Sequence, residues 1–397
     1  MSINPLKQKL VYIYSNGCTS NMIDSERMSM FFKMNDFSMT TTPSKADLLV
    51  VNTCAFEKET ENDSIEKIKY LQKIKAEKAK LIVTGCLPAI NNKRLKLVFN
   101  GDIFEIRNEK TWDKLNYLID AKIPISKIKD PNELLERWPD SKLLAKYKAF
   151  KENKIGEEIG HYDESDFHIR IAKGCKGSCS YCAIKFARGK LQSRTVHEIL
   201  DEFLYGLKKG YRSFKIWADD IGDYGLDIQT DLAELLTEIL KINGNYELEV
   251  LAMNPKRFIW MFDRLLPSLK DKRVKYLNIS IQSTSPKILK SMKREINTED
   301  LKLKLIQLRD EANHLIIRTH YMVGFPGETW LDFLRILSFS FKVKNFKYLT
   351  FIFDPKPGTE AATMKKQVSP AVKKLRFYIL KTWAKLGSKL YDDGETY

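Results

Sequence analysis

Six cysteines are the residues of this 397-residue chain whose types and spacing best suit chemistry. They fall into two sets of three: Cys18, Cys54 and Cys86, then Cys175, Cys179 and Cys182. The second set lies in Gly174-Cys175-Lys176-Gly177-Ser178-Cys179-Ser180-Tyr181-Cys182, a C-x3-C-x2-C spacing. Three thiolates on one tight loop suit a cubane iron–sulfur cluster, and the loop glycines permit close wrapping. Three ligands for four irons leave one iron open to a cofactor or substrate, unlike a four-cysteine electron carrier. A structural zinc asks instead for four ligands in paired spacing. A fourth ligand is missing here, and His168 and His197 stand at a distance from the loop.

The elements that must position these thiols can be read from apolar periodicity. Lys9–Tyr14, Asp47–Val51 and Lys80–Val83 read as strands, with helical patterns over Ile23–Phe32 and Thr60–Lys78 between them. Strands alternating with helices predict an open parallel α/β sheet over 1–125. Each of the three strands is followed within a few residues by one cysteine of the first set. The carboxyl ends of parallel strands share one edge, where ligands usually bind, so Cys18, Cys54 and Cys86 are expected to converge. Residues 126–164 are charged and contain Pro131 and Pro139, which reads as a linker with some helix. Over 165–364 the rhythm resumes, with strands expected at Phe167–Ala172, Ser213–Trp217, Leu248–Ala252, Tyr276–Ile281, Leu315–Val323 and Tyr348–Phe353. Six such units predict a partial or full α/β barrel, whose chemistry sits at the C-terminal strand ends. Residues 365–397 form a basic helix and tail. Val372, Leu375, Ile379, Trp383 and Leu386 fall at helical spacing, which predicts a docked helix with a basic outer face.

With 43% apolar and 30% charged residues the chain reads as globular, which excludes a disordered tail protein, a collagen or a small secreted scaffold. The formal net charge of +16 fits a polyanion such as RNA, and equally a solvated Lys-rich surface. No apolar run approaches the ~20 residues of a membrane span. Met1 to Lys9 has no signal-peptide pattern, so the expected location is cytoplasmic, where cysteines usually do chemistry or bind metal.

The C-x3-C-x2-C loop with Tyr181 resembles the signature of the radical S-adenosylmethionine (SAM) superfamily. The likeness extends to Asn16-Gly17-Cys18, Asn52-Thr53-Cys54, Thr84-Gly85-Cys86, Ala187-Arg188-Gly189-Lys190, Ser193-Arg194, Tyr224-Gly225-Leu226-Asp227, Ile281-Gln282-Ser283, Val323-Gly324-Phe325-Pro326-Gly327-Glu328-Thr329 and Pro357-Gly358-Thr359. Together these stretches resemble the radical SAM methylthiotransferase family over about residues 8–376. The resemblance implies a transferase that converts C–H to C–SCH3 with two 4Fe-4S clusters and two SAM molecules. Cys175, Cys179 and Cys182 would hold the cluster that cleaves SAM to a 5′-deoxyadenosyl radical. Cys18, Cys54 and Cys86 would hold an auxiliary cluster that carries the sulfur. Tyr181, Gln282 and Arg194 would contact SAM. An electron donor such as flavodoxin or ferredoxin and a sulfur donor are the implied partners.

Three departures from the family pattern bear on the acceptor. The family usually ends in a small C-terminal β domain (of TRAM type), whereas only about 38 residues follow Thr359 and they read as helical. Asp219-Asp220 stands where Gln followed by Asp or Asn is usual, and His320 where an Asp often follows Thr. Asp219, Asp220 and His320 are therefore candidates for an acceptor pocket; a satisfied core histidine and loop-capping aspartates are the plainer readings. The family has two acceptor classes, the adenosine beside the tRNA anticodon and an aspartate side chain of a ribosomal protein. The sequence leans to a peptide or protein, with tRNA as the alternative. A zinc-stabilised RNA-binding protein is the reading from another class.

Overall fold

The computed structural model describes residues 9–107, 109–132, 166–345 and 347–391. The chain forms two compact units: Met1–Glu164 with Ala183–Gly189, and Ser165–Cys182 with Lys190–Tyr397. The helix expected within 126–164 falls largely on residues outside this description.

The first unit is built on a five-stranded parallel sheet. Its strands are β1 (Leu10–Ser15), β2 (Ser38–Met39), β3 (Leu48–Thr53), β4 (Lys80–Gly85) and β5 (Asp102–Ile103), in the order β2-β1-β3-β4-β5. The near-continuous apolar runs of β1, β3 and β4 are buried on both faces, as parallel strands require. Val11, Ile13, Val50 and Ile82 pack under the helix Thr19–Met34, against Met28, Phe31 and Phe32. Tyr12, Leu49, Val51 and Val83 face the helix Lys58–Ile74, against Ile65, Ile68 and Leu71. The order reverses between β1 and β3, which makes their carboxyl ends the topological switch point. Ile125 and Ile128 join this core, and Arg27 donates to their carbonyls at 3.1 and 2.8 Å. The unit thus continues past residue 125. The short helix Ile184–Arg188 also belongs to it, through Ala183 and Ala187.

The second unit has a six-stranded, all-parallel sheet in sequential order. Its strands are β6 (Asp166–Arg170), β9 (Ser213–Trp217), β10 (Glu247–Met253), β11 (Val274–Gln282), β12 (Ile316–Val323) and β13 (Tyr348–Ile352). The sheet stays open between β6 and β13, so the architecture is a partial barrel. A two-stranded antiparallel ribbon, β7 (Ala172–Lys173) with β8 (Gln192–Ser193), is added beside it. Asp231, Asn254, Ser285, Asn297 and Thr329 each cap the helix that follows, accepting first-turn N–H groups. Strand residues alternate between an apolar helix-facing side, such as Phe167, Ile216, Val250 and Ile279, and a polar side. On the polar side Lys215, 1% exposed, is paired with Asp166 at 2.7 Å and Glu249 at 3.7 Å.

The C-terminal helix Pro370–Tyr391 packs on β13; Ile379 and Trp383 of the expected face pack against the core, but the rest of the buried face differs. Leu375 and Leu386 are exposed, while Lys373, Arg376 and Leu380 are buried. The reason is Glu328, buried in the turn after β12: Arg376 donates to its Oε1 at 2.7 Å. Lys373 donates to the Phe353 carbonyl at 2.9 Å. Two of the helix's basic side chains therefore serve the interior rather than an outer face. Among the described residues no helix is long and apolar enough to cross a membrane.

Candidate metal centres

Cys18, Cys54 and Cys86 follow β1, β3 and β4, three adjacent parallel strands whose register aligns Ser15 with Asn52 and Thr53 with Gly85. The three thiols thus share the carboxyl edge of one sheet. Local contacts fix each position. Asn16 accepts from the Cys54 N–H at 2.9 Å, and Ser64 donates to the Cys54 carbonyl at 2.9 Å. Gly85 has φ +94°, and a Cβ there would lie 2.3 Å from the Thr53 carbonyl, so only glycine fits before Cys86. Cys18 is exposed and the other two are buried. Burial pushes the Cys86 thiol up; the Arg188 guanidinium opposes it, and Cys54 and Cys18 add to the rise. A thiol buried as Cys86 is keeps its proton until a metal takes the sulfur, which fits the donor chemistry of an iron–sulfur cluster.

Arg188 is the cation of this site. It is buried, donates to Asp24 Oδ2 and to Asn21 Oδ1 at 2.5 Å each, and the Cys86 sulfur lies 3.6 Å from the same Asn21 oxygen. Ala187-Arg188-Gly189-Lys190 stood out in the sequence, but nothing local signalled that its arginine belongs with the first cysteine set. Asn21 also donates to the Thr53 carbonyl at 2.9 Å, and Asn52 donates to the Asn21 carbonyl at 2.7 Å. These bonds explain why Asn16, Asn21 and Asn52 surround the three thiols.

In the second unit, the cysteine loop follows β6 and β7 and is stapled by Ser180. Ser180 donates to the Ser291 carbonyl (2.7 Å) and to the Met292 carbonyl (3.1 Å), and accepts from Ala361 N–H (2.9 Å). A Cβ on Gly177 would sit 3.0 Å from the Cys175 sulfur and 3.8 Å from the Cys179 sulfur. Glycine leaves the space between these two sulfurs clear, as a cluster held by them would require. The Gly177 N–H also donates to the Cys175 sulfur at 3.1 Å. Burial and then Asp220 push the Cys175 thiol up, while that N–H pulls it down. Cys175, Asp220 and Asp223 place their ligand atoms within 4.8 Å of one another. A small cation bound there would leave Cys179 and Cys182 unused. The three-sulfur loop fits a cubane better.

Arg294 was not foreseen from the sequence, because it comes from the loop after the helix Pro286–Ser291, 115 positions beyond Cys179. It is 9% exposed, donates to the Cys179 sulfur at 3.4 Å and to the Ser280 carbonyl at 2.6 Å. Burial pushes the hydroxyl of Tyr181 up, and the charge of Arg294 opposes it. Tyr181 meets Phe325 edge-on at 6.4 Å. Gln282 closes β11 with φ +71°, after a register shift that follows Ile279. Ala252 at the end of β10 has φ +69°. Irregular, strained strand ends of this kind re-aim side chains and cluster at functional sites.

The other expected residues are placed differently. The Arg194 guanidinium is held by the Arg170 carbonyl at 3.1 Å and by the Glu202 carboxylate, so it ties β6 to the helix Val196–Lys208. Asp219 accepts from the Gly174 N–H at 2.8 Å, and Asp220 from Gly222 and Asn254 N–H at 3.1 and 3.2 Å. Burial and then Asp223 push the Asp220 carboxyl up to about 6. Both aspartates therefore serve the cysteine loop and its neighbour. His320 lies instead on the polar face of β12, 2.8 Å from Asn278 Nδ2 and 3.2 Å from Ser280 Oγ. Burial, then Arg318 and Arg294, lower it to about 3, so it is a neutral, hydrogen-bonded histidine.

Residues 10–104 match the family model "Uncharacterized protein family UPF0004", and residues 169–340 match "Radical SAM superfamily". The chain is 33% identical over 363 residues to "Ribosomal protein uS12 methylthiotransferase RimO" of Carboxydothermus hydrogenoformans, covering 90% of this chain and 78% of that protein. It is 31% identical over 359 residues to "Probable threonylcarbamoyladenosine tRNA methylthiotransferase" of Pyrococcus horikoshii, covering 90% and 79%. Among solved structures, the radical SAM methyltransferase TsrM of Kitasatospora setae has the same fold (TM-score 0.62, 15% identity, 89% of this chain and 77% of that one). The matched models, the identities and the two three-cysteine sites agree: the chain belongs to the radical SAM methylthiotransferase family.

Proposed function

We propose that this transferase holds two 4Fe-4S clusters, one on Cys175, Cys179 and Cys182 and one on Cys18, Cys54 and Cys86. It uses two molecules of SAM to convert C–H to C–SCH3 on a peptide or protein side chain. The observation that supports this reading best is structural symmetry. Each unit gathers three cysteines at the carboxyl edge of a parallel sheet, and each set is one ligand short of a closed tetrahedral site. When bound, the two clusters and SAM supply a 5′-deoxyadenosyl radical, sulfur and a methyl group.

The chain's own residues do the positioning. Ser180 and Asp219 fix the backbone of the second-unit loop, and Arg294 sets a cation against the Cys179 sulfur. Gln282, at the irregular end of β11, and Tyr181 contact SAM on this reading. Arg188, Asn21 and Asp24 order the edge that bears Cys86. An external electron donor and a sulfur donor complete the cycle, and the chain acts in the cytoplasm.

The acceptor follows from weaker signs. The uS12 enzyme of Carboxydothermus modifies a ribosomal protein by its name, and Lys373 and Arg376 are turned inward, which reduces the basic face available to RNA. The tRNA reading has its own support in the Pyrococcus relative. Mass spectrometry of peptides and tRNA from cells with and without the gene decides between them. A gene-dependent gain of S–CH3 for H on a peptide supports the proposal; the same gain confined to tRNA overturns the acceptor.

A further inference from the structure

Two carboxylates of the loop after β9 reach the backbone of the cysteine loop on either side of Cys175. Asp219 Oδ2 accepts from the Gly174 N–H at 2.8 Å, and Asp223 Oδ2 from the Lys176 N–H at 2.9 Å. Asp223 Oδ2 is also 3.5 Å from the Cys175 sulfur. Its other oxygen accepts from Arg257 Nε at 2.8 Å, and Asp223 is 3% exposed. Arg257 comes this near because position 222 is glycine: a Cβ there would lie 2.5 Å from the Arg257 Cβ. Arg257, Asp223 and the ligand sulfur thus form a short line of alternating charge.

A reduction potential of an iron–sulfur cluster depends on the hydrogen bonds to its sulfurs and on nearby charge. Asp223 acts on both counts. It takes up the Lys176 N–H, which then cannot donate to sulfur, and sets a negative charge beside a ligand. Asp219 takes up the Gly174 N–H in the same way. The Gly177 N–H, which does donate to the Cys175 sulfur, and Arg294 at Cys179 work in the opposite direction.

We infer that Asp219 and Asp223 are positioning residues that hold the cluster loop and make its cluster a stronger one-electron reductant, with Arg257 moderating Asp223. The inference rests on Cys175, Cys179 and Cys182 being the ligands. The test is a redox titration of the anaerobically reconstituted full chain, followed by the electron paramagnetic resonance signal that changes when SAM is added. Asp223→Asn should shift the reduction equilibrium about tenfold toward the reduced state, 59 mV for one electron. Asp219→Asn should shift it the same way by less, and Arg257→Gln should shift it the opposite way. Opposite signs from Asp223 and Arg257 separate a charge effect from loosening of the loop. If neither Asp219→Asn nor Arg257→Gln moves the potential, or if Asp223→Asn and Arg257→Gln move it alike, the inference is overturned, even where Asp223→Asn loses its cluster. A wild-type chain with no SAM-responsive signal overturns the ligand assignment itself.

Discussion

Replacing Arg376 by leucine should loosen the C-terminal helix in a pH-dependent way. Arg376 and Glu328 form an ion pair at 2.7 Å whose side chains are 3% and 2% exposed. The guanidinium also lies 4.8 Å from the Trp330 ring, and Glu328 Oε2 accepts from the Gly324 N–H at 2.9 Å. Arg376→Leu keeps much of the bulk but leaves a buried carboxylate without its cation, which costs about 3–5 kcal/mol. Burial already pushes Glu328 from its ordinary 4.5 up to about 7, although Arg376 and the Gly324 and Phe325 N–H groups pull it down. Between pH 4.5 and 7 the folded chain therefore keeps a proton that the unfolded chain has lost. Stability from this group is present at low pH and is lost as pH rises through 7. Without Arg376 the folded pKa moves higher still, so the loss continues to higher pH. The deficit relative to the parent should be small at pH 6 and widen by about 1.4 kcal/mol per unit above pH 7. Hydrogen exchange of peptides from 370–391 reads this locally: protection should fall about tenfold at pH 8 and about a hundredfold at pH 9, at about 1.4 kcal/mol per tenfold. Adding Glu328→Gln should restore most of it. Equal deficits at pH 6 and 8.5, or unchanged protection, would refute the argument.

Three further outcomes are expected. Gly85→Ala should cost the first unit its iron while leaving SAM cleavage, because a Cβ at φ +94° meets the Thr53 backbone and displaces Cys86; iron assay and 5′-deoxyadenosine release check this. Arg188→Met should destabilise by about 3–5 kcal/mol, since Asp24 then stays buried without this guanidinium, and Asp24→Leu in the same chain should recover much of that, read by urea unfolding. His168 is lowered to about 3 by burial and then by Lys215, so the unfolded chain takes up a proton below pH 6.5 that the folded chain refuses. Its contribution is thus whole above pH 6.5 and is lost toward pH 3, at about 1.4 kcal/mol per unit. His168→Gln should flatten the acid limb of the stability curve by that amount.

The long strands could be read from the sequence because buried parallel strands need unbroken apolar runs, such as Leu48–Val51 or Leu81–Val83. β2 and β5, two residues each, offer no such run. The polar side of the second sheet is invisible to hydropathy: Lys215 and His168 look like surface residues until Asp166 and Trp217 are seen beside them. The same blindness misplaced Leu375 and Leu386 on the C-terminal helix, whose Ile379 and Trp383 do pack on the core, since periodicity cannot see the carboxylate that draws in Arg376. The convergence of Cys18, Cys54 and Cys86 was legible from strand ends alone. Arg188 and Arg294 were not, because each joins its cysteines from far along the chain.

The most direct test of the account compares Cys54→Ala with Cys179→Ala in protein purified and reconstituted without oxygen. The wild-type chain should carry about eight irons and the variants about four each. With SAM and a reductant, Cys54→Ala should still release 5′-deoxyadenosine but form no methylthiolated product, and Cys179→Ala should release none. A colourless protein with one or two zincs, or two variants that lose SAM cleavage alike, would contradict two clusters with separate tasks.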